Sequence, residues 1–165
     1  MGSLIIENAN LFIGVDEEVI ANGAVWVSDG VIKFSGAVSD LPAGGENIER
    51  YDALGKFVMP GMTESHVHLS YNNSHPQQLN SEPLPIAMLD AVDNARILLG
   101  SGFTSAISFG SAQGLDVPLR DAINAGRIPG PRLAASDRDL GSTGSNADGT
   151  FGGDSSKKII ADGPW

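Results

Sequence analysis

Residues 56–69 read KFVMPGMTESHVHL, and this stretch decides the fold. A short apolar run ends at Pro60 and Gly61, and a strand predicted from Met62 to Leu69 carries His66 and His68. In a strand, side chains two residues apart point to the same face. Two neutral imidazoles on one face can bind one metal ion, although zinc needs at least three protein ligands. The spacing alone leaves two interpretations open, a pair of metal ligands or a pair of exposed or hydrogen-bonded histidines.

Upstream of this stretch, residues 1–58 read as short strands separated by turns. Apolar runs of strand length occupy 4–6, 10–13, 24–27 and 31–34, and a further strand is predicted over 48–51. Asp29 and Gly30 between two of these runs are a strong hairpin signal. We therefore expect a small antiparallel β-domain, with a loop over 40–46.

Downstream, strands and helices alternate. The pattern predicts a helix over 86–99, a strand over 103–109, a helix beginning at Asp116 as N-cap and ending at Gly126, and a strand over 132–135. On the first helix, apolar residues recur at helical spacing as Ala87/Met88, Ala91/Val92, Ala95 and Leu98/Leu99. Met88, Leu89, Val92 and Leu98 are predicted to be core residues. This alternation is typical of a parallel α/β sheet. Residues 137–156, rich in Gly, Ser and Asp, read as a long loop of the kind that is often functional.

Composition excludes several classes of protein. The chain has 165 residues, with 10 Lys+Arg against 20 Asp+Glu and a formal net charge of −10. No basic cluster is present to neutralise phosphates or to bind a membrane surface, so we expect no nucleic-acid and no membrane partner. The absence of cysteine excludes a disulfide scaffold, a Cys zinc site and a thiol nucleophile. With no signal peptide at the N-terminus, we expect a cytoplasmic protein.

Taken as a whole, residues 56–69 closely resemble the signature of the amidohydrolase superfamily, in which Pro-Gly and His-x-His mark the first strand of a metal-bearing (β/α)8 barrel. Members commonly place a small β-domain before the barrel, with the strand, Asp-Gly, strand pattern that this chain has over 25–36. Residues 102–105, 119–126 and 128–133 look like the imidazolonepropionase-like branch. That branch includes prolidase-type dipeptidases and ochratoxin-hydrolysing amidases.

The resemblance implies an α/β fold: a small β-sandwich domain over 1–58, then the first strand–helix units of a TIM barrel over 59–165. A complete barrel needs about 250 residues, so we expect an incomplete barrel and the N-terminal part of a longer enzyme. The implied enzyme hydrolyses an amide or peptide-like C–N bond of a small-molecule or dipeptide-like substrate through a metal-activated water. His66 and His68 would bind a divalent metal, expected to be zinc, as one or two ions. The acid/base Asp is expected beyond Trp165, and the full-length enzyme is expected to be a homo-oligomer.

Two other functions remain open: a non-catalytic fragment or binding module that associates with other chains, and a deaminase of a cyclic amidine. We expect residues 1–165 alone to be inactive. The chain departs from the branch at Ile107 and Ser108, where relatives carry Arg-Asp, and at 144–146, where relatives often carry a Gly-Gly-His-like element.

Other polar residues near the motif are expected to have lesser roles. Glu64 is expected to support the strand rather than to catalyse, although a carboxylate pair with Asp137 or Asp139 is conceivable. His75 is expected to be solvated. The two lysines at 157 and 158 come too early in the family's order to be assigned as the metal-bridging lysine.

Overall fold

The computed structural model describes residues 2–43, 48–73, 82–145 and 159–164. The chain divides into two compact units, Met1–Pro60 and Gly61–Trp165. Each is described by itself. In the part of the chain that the structure describes, no helix has the length and apolar character needed to cross a membrane.

The first unit is a five-stranded sheet around one long central strand. Its strands are β1 (Ser3–Phe12), β2 (Val19–Ser28), β3 (Val31–Ala37), β4 (Glu49–Asp52) and β5 (Phe57–Val58). The two apolar runs at 4–6 and 10–13 are parts of the single strand β1. The predicted hairpin is confirmed: Ser28 pairs with Val31, and Asp29 and Gly30 both have positive φ, as a two-residue hairpin turn requires.

The expectation of an antiparallel sheet is wrong for part of this unit. β2 pairs antiparallel with β1 and β3, but β4 and β5 pair with the other edge of β1 in parallel. After β3 the chain crosses to the far side of β1 and arrives running in the same direction. A tight turn cannot make such a crossover, and the long connection between β3 and β4 provides the length. The core of the unit forms around buried Ala9, Leu11 and Ala53.

The second unit alternates strands and helices as predicted. Its main elements are β6 (Met62–Val67), α1 (Leu84–Gly100), β7 (Phe103–Ser108), α2 (Asp116–Asn124) and β8 (Arg132–Ala134). The three strands form a parallel sheet in the order β6-β7-β8. A second, two-stranded parallel pair joins β9 (Leu140–Gly141) to β10 (Ile159–Ile160). The chain is therefore a mixed α/β protein.

Both helices pack on one face of this sheet. A single buried cluster combines Ala91 and Ala95 of α1, Leu119 of α2, Ala106 of β7 and Leu133 of β8. On the other face the side chains are more open, since Ile107 is 41% exposed. The carboxyl ends of the parallel strands lie together at one edge, which is where such sheets place functional residues.

Helix α1 contacts the sheet through small side chains rather than large ones. Ala87, Ala91 and Ala95, spaced four residues apart, are the buried residues of the helix. The prediction that Leu89 belongs to the core is wrong, because its side chain is 62% exposed. Met88, Val92 and Leu98 are partly buried at the margins of the contact. Small residues let the helix backbone lie close to the strands.

This close packing predicts opposite effects for two substitutions on α1. Ala95 has no exposed surface, so Ala95→Leu should overpack the interface and lower the free energy of unfolding by about 1–3 kcal/mol. Leu89→Ala on the exposed face should change it by less than about 0.5 kcal/mol. Urea denaturation followed by circular dichroism measures both, and equal losses would contradict the packing described.

The start of α2 differs from its prediction. Asp116 is predicted to be the N-cap, but Leu115 occupies that position, and the backbone N–H of Asp116 donates to the Ser111 hydroxyl oxygen at 2.9 Å. The carboxylate of Asp116 is instead almost fully buried, at 1% exposure. Its Oδ2 accepts from the Ser136 backbone N–H at 3.0 Å, and its Oδ1 accepts from the Ser111 hydroxyl at 3.0 Å. Asp116 thus ties the loop after β7 to the loop after β8.

Candidate metal centre

The two histidines of the motif lie at the carboxyl end of β6. His66 is the last residue but one of the strand, and His68 directly follows the strand. Their imidazoles converge, as the i, i+2 spacing predicts: the Nε2 atoms are 3.2 Å apart. Two nitrogen ligands at about 2.0–2.1 Å from a tetrahedral zinc ion lie about 3.3 Å apart. The observed separation therefore fits two ligands of one ion.

The orientation of His68 is set by its other ring nitrogen. Nδ1 lies 3.0 Å from the carbonyl oxygen of Gly110, a residue that lies two positions after the end of β7. A carbonyl only accepts, so Nδ1 carries the proton and donates it. The neutral ring then has its lone pair on Nε2, the atom that faces His66. This is the arrangement by which proteins prepare a histidine to bind a metal.

Each imidazole also rests against an aromatic ring. His66 stacks on Phe109 with ring centroids 4.4 Å apart and planes inclined by 5°. His68 stacks on Tyr71 with centroids 5.0 Å apart and an inclination of 18°. The loop carrying Tyr71 is held by Asn94 of α1, whose side-chain amide donates to the carbonyl oxygens of Leu69 and Tyr71 at 2.8 and 2.9 Å. Both rings are thus restrained before any ligand binds.

A carboxylate lies beside His68. The Tyr71 hydroxyl donates to Asp139 Oδ2 at 2.9 Å, and Asp139 Oδ1 is 3.6 Å from His68 Nδ1. Burial and, secondly, the negative charge of Asp139 hold the pKa of Tyr71 well above its usual range, so its phenol stays protonated. Asp139 Oδ1 is buried and has no hydrogen-bond partner among the residues that the structure describes.

The remaining sequence candidates are placed as follows. Glu64 Oε1 accepts from the backbone N–H of His66 at 3.2 Å, so it supports the strand rather than an imidazole. An irregularity of β6 between Glu64 and Val67 interrupts the simple alternation of faces there. His75 and the lysines at 157 and 158 lie outside the described residues. Ser108 is buried and its hydroxyl lies 3.3 Å from the Gly110 carbonyl oxygen.

Within the described ranges, no group of three or more His, Cys, Asp or Glu side chains is arranged to hold a metal ion. The two histidines thus form a pair of suitable ligands without a third. A zinc site needs at least one more protein ligand than this pair.

No protein-family model matches the chain. Among curated proteins, it is 28% identical to the ochratoxinase of Aspergillus niger over 150 residues, which are 85% of this chain and 29% of that protein. It is 38% identical to an imidazolonepropionase of Bradyrhizobium sp. over 60 residues, which are 36% of this chain and 15% of the relative. A crystal structure of an amidohydrolase superposes with a TM-score of 0.77 and 29% identity, covering 88% of this chain and 34% of the other.

These likenesses coincide with the branch that the motifs indicate. Over the length that it spans, these similarities support an amidohydrolase superfamily member, at partial coverage. The chain spans less than a third of the length of these two curated relatives.

Four residues around this pair were not recognised as part of the site from the sequence. Phe109 ends a predicted strand and Gly110 directly follows it, which is a usable signal because loops at that edge carry functional groups. Tyr71 is three residues after His68, but a lone Tyr in a polar stretch has no distinctive spacing. Asp139 was considered only as a partner of Glu64, and nothing in its local sequence links it to a histidine.

Proposed function

We propose that the whole protein is a metal-dependent hydrolase that cleaves an amide-type C–N bond, and that residues 1–165 supply a small β-domain and the first strand–helix units of a (β/α)8 barrel. One observation carries the proposal. The Nε2 atoms of His66 and His68 lie 3.2 Å apart at the carboxyl end of a parallel strand, with the His68 Nδ1 proton already bound by Gly110. Without a metal ion the same 3.2 Å separation is a hydrogen bond between the two rings, so the feature that favours a metal ligand is the Gly110 contact, which leaves the His68 Nε2 lone pair facing His66.

In this proposal His66 and His68 hold one divalent ion through Nε2. Imidazole ligands suit zinc among other transition metals. When bound, such an ion supplies Lewis acidity toward water and toward a carbonyl oxygen. Gly110 keeps His68 in the metal-binding tautomer, while Phe109 and Tyr71 keep both rings in place. The other ligands, and the carboxylate that serves as acid/base, belong to the remainder of the whole protein.

The proposed substrate is a small amide or dipeptide-like molecule. The match to ochratoxinase extends over 85% of the chain, whereas two matches to imidazolonepropionase extend over 36% and 61%, and the greater extent of the first is the support for an amide substrate. The carboxylate of Asp139 lies beside His68 at this edge of the sheet, whereas the charge of Asp137 is paired with Arg138 at 3.4 Å. A neutral or cationic group next to the scissile bond suits that surface better than an anion.

A second candidate is a module that associates with other chains. Ile107 and Phe109 on the open face of the sheet are 41% and 50% exposed, and both are apolar. Exposed apolar surface of this kind marks contact sites. Metal content separates the two candidates, because an association module has no need of a bound ion.

The test is metal analysis of the whole protein. We expect purified protein to contain at least one divalent ion per chain and to hydrolyse N-acyl amino acids or dipeptides, with activity lost on chelation and restored by Zn²⁺. His66→Ala should lose most of the bound metal because one ligand is removed. Retention of metal and rate by His66→Ala would overturn the proposal, and a metal-free, inactive protein would favour the association module.

A further inference from the structure

The unexplained group next to the histidine pair is the carboxylate of Asp139. It is buried at Oδ1, no described residue donates a hydrogen bond to that atom, and it lies on the Nδ1 side of His68 rather than on the Nε2 side. Buried polar atoms are normally paired, so an unpaired one calls for an explanation. Asp139 does not join the two histidines as a third ligand in the described residues. Its position behind the ring suggests an action on the histidine itself.

The structure holds this carboxylate in place from two sides. Tyr71, which stacks on His68, donates its hydroxyl to Asp139 Oδ2 at 2.9 Å. Gly110, which accepts the His68 proton, passes so close that a Cβ on it would lie 2.5 Å from the Asp139 backbone nitrogen. Thus Tyr71 and Gly110, which both contact the His68 ring, also lie against Asp139. A carboxylate placed by chance on a surface loop would not share both contacts.

We propose that Asp139 is a positioning residue for His68, whose negative charge behind the ring keeps the proton on Nδ1 and strengthens Nε2 as a ligand for a divalent cation. The proposal rests on the metal-binding role of the histidine pair proposed above. At 3.6 Å the carboxylate is beyond hydrogen-bond distance from Nδ1, so Gly110 binds the proton and Asp139 acts through its charge. In a partly buried site such a charge is weakly screened. A carboxylate beside one ring nitrogen of a histidine, with the metal on the other ring nitrogen, is a common arrangement in metal proteins.

The experiment compares metal affinity in the whole protein, apo and then titrated with Zn²⁺ or Co²⁺ against a competing chelator. Asp139→Asn keeps the shape but removes the charge, and we expect it to weaken binding by about 10–100-fold. Tyr71→Phe removes only the hydroxyl that holds Asp139, and we expect a smaller loss in the same direction. Asp137→Asn, on the same loop with its carboxylate toward Arg138, is the matched control and should bind metal as the unaltered protein does.

A second measurement needs no metal. Nitrogen-15 NMR of the apo protein reports which ring nitrogen of His68 carries the proton. We expect the Nδ1–H form in the unaltered protein and a measurable share of the Nε2–H form in Asp139→Asn. A role confined to folding would not shift this tautomer balance in a variant whose circular dichroism is unchanged. If Asp139→Asn fails to fold, Tyr71→Phe decides by the same two measurements.

The outcomes separate this proposal from the one on which it depends. Loss of metal in His66→Ala with unaltered affinity and tautomer in Asp139→Asn and Tyr71→Phe overturns the role of Asp139 alone. Failure of the unaltered protein to bind Zn²⁺ or Co²⁺ overturns both. An equal loss in Asp137→Asn would show a general effect of loop charge and would also overturn the role assigned to Asp139.

Discussion

His68→Ala is expected to lower kcat/KM for amide hydrolysis by the whole protein by about 1,000-fold or more. The substitution removes one of the two Nε2 ligands and also the ring that Gly110 and Tyr71 hold in place. The chemistry that a bound divalent ion supplies is worth several kcal/mol, and about 4 kcal/mol corresponds to about 1,000-fold in rate. Steady-state kinetics at saturating Zn²⁺ measures the loss.

The control for this substitution is His75→Ala. His75 is the third histidine of the chain, and its sequence surroundings predict a solvated side chain. We expect its replacement to leave kcat/KM within twofold. Comparable losses in the two variants, or a His68→Ala protein that retains its rate, would contradict the assignment of the pair as metal ligands.

Gly110→Ala is expected to have the largest effect on stability, about 2–6 kcal/mol of the free energy of unfolding. Gly110 has φ of +121°, a conformation that strains a residue with a side chain by about 1–3 kcal/mol. The added Cβ would also meet the backbone of Asp139 at 2.5–2.8 Å, and overpacking of this kind costs about 1–3 kcal/mol more. The urea midpoint of the whole protein measures the change, and metal affinity should fall with it because the His68 and Asp139 contacts move.

Gly126→Ala separates the two contributions. Gly126 also has positive φ, at +67°, but a Cβ there would meet nothing within 4 Å. Only the backbone strain remains, and we expect a loss of about 1–2 kcal/mol. If Gly126→Ala proves as destabilising as Gly110→Ala, the close approach of Gly110 and Asp139 is not what makes Gly110 necessary.

The order of the elements in the second unit was predictable because periodicity is a local property. Apolar spacing along α1 and the β-branched run of β7 showed where a helix and a strand form. The apolar spacing of α1 included the three buried residues, Ala87, Ala91 and Ala95, but the assignment of Leu89 to the core was wrong. A hydrophobic side chain at helical spacing is a core candidate, but here the small residues at 87, 91 and 95 face the sheet and leave Leu89 exposed.

In the first unit the turn at Asp29 and Gly30 was predictable because its two residues favour positive φ. The parallel pairing of β4 with β1 was not. Strand direction depends on where the chain returns after a long connection, and residues 49–52 have the same local sequence character in either direction. The direction in which these strands pair is therefore determined by the packing of the whole unit and not by local sequence.

The sequence by itself determined the histidine pair, since side chains two residues apart on a regular strand share a face. Because β6 is irregular between Glu64 and Val67, the 3.2 Å approach of the two imidazoles depends on the contacts around them. The sequence also determined the succession of strands and helices that brings the pair to the carboxyl edge of a parallel sheet. Only the tertiary structure decided what surrounds the pair. Gly110 comes 42 residues after His68, and Asp139 comes 68 residues after Tyr71. Contacts at such separations arise from the packing of loops at one sheet edge, which no local spacing encodes.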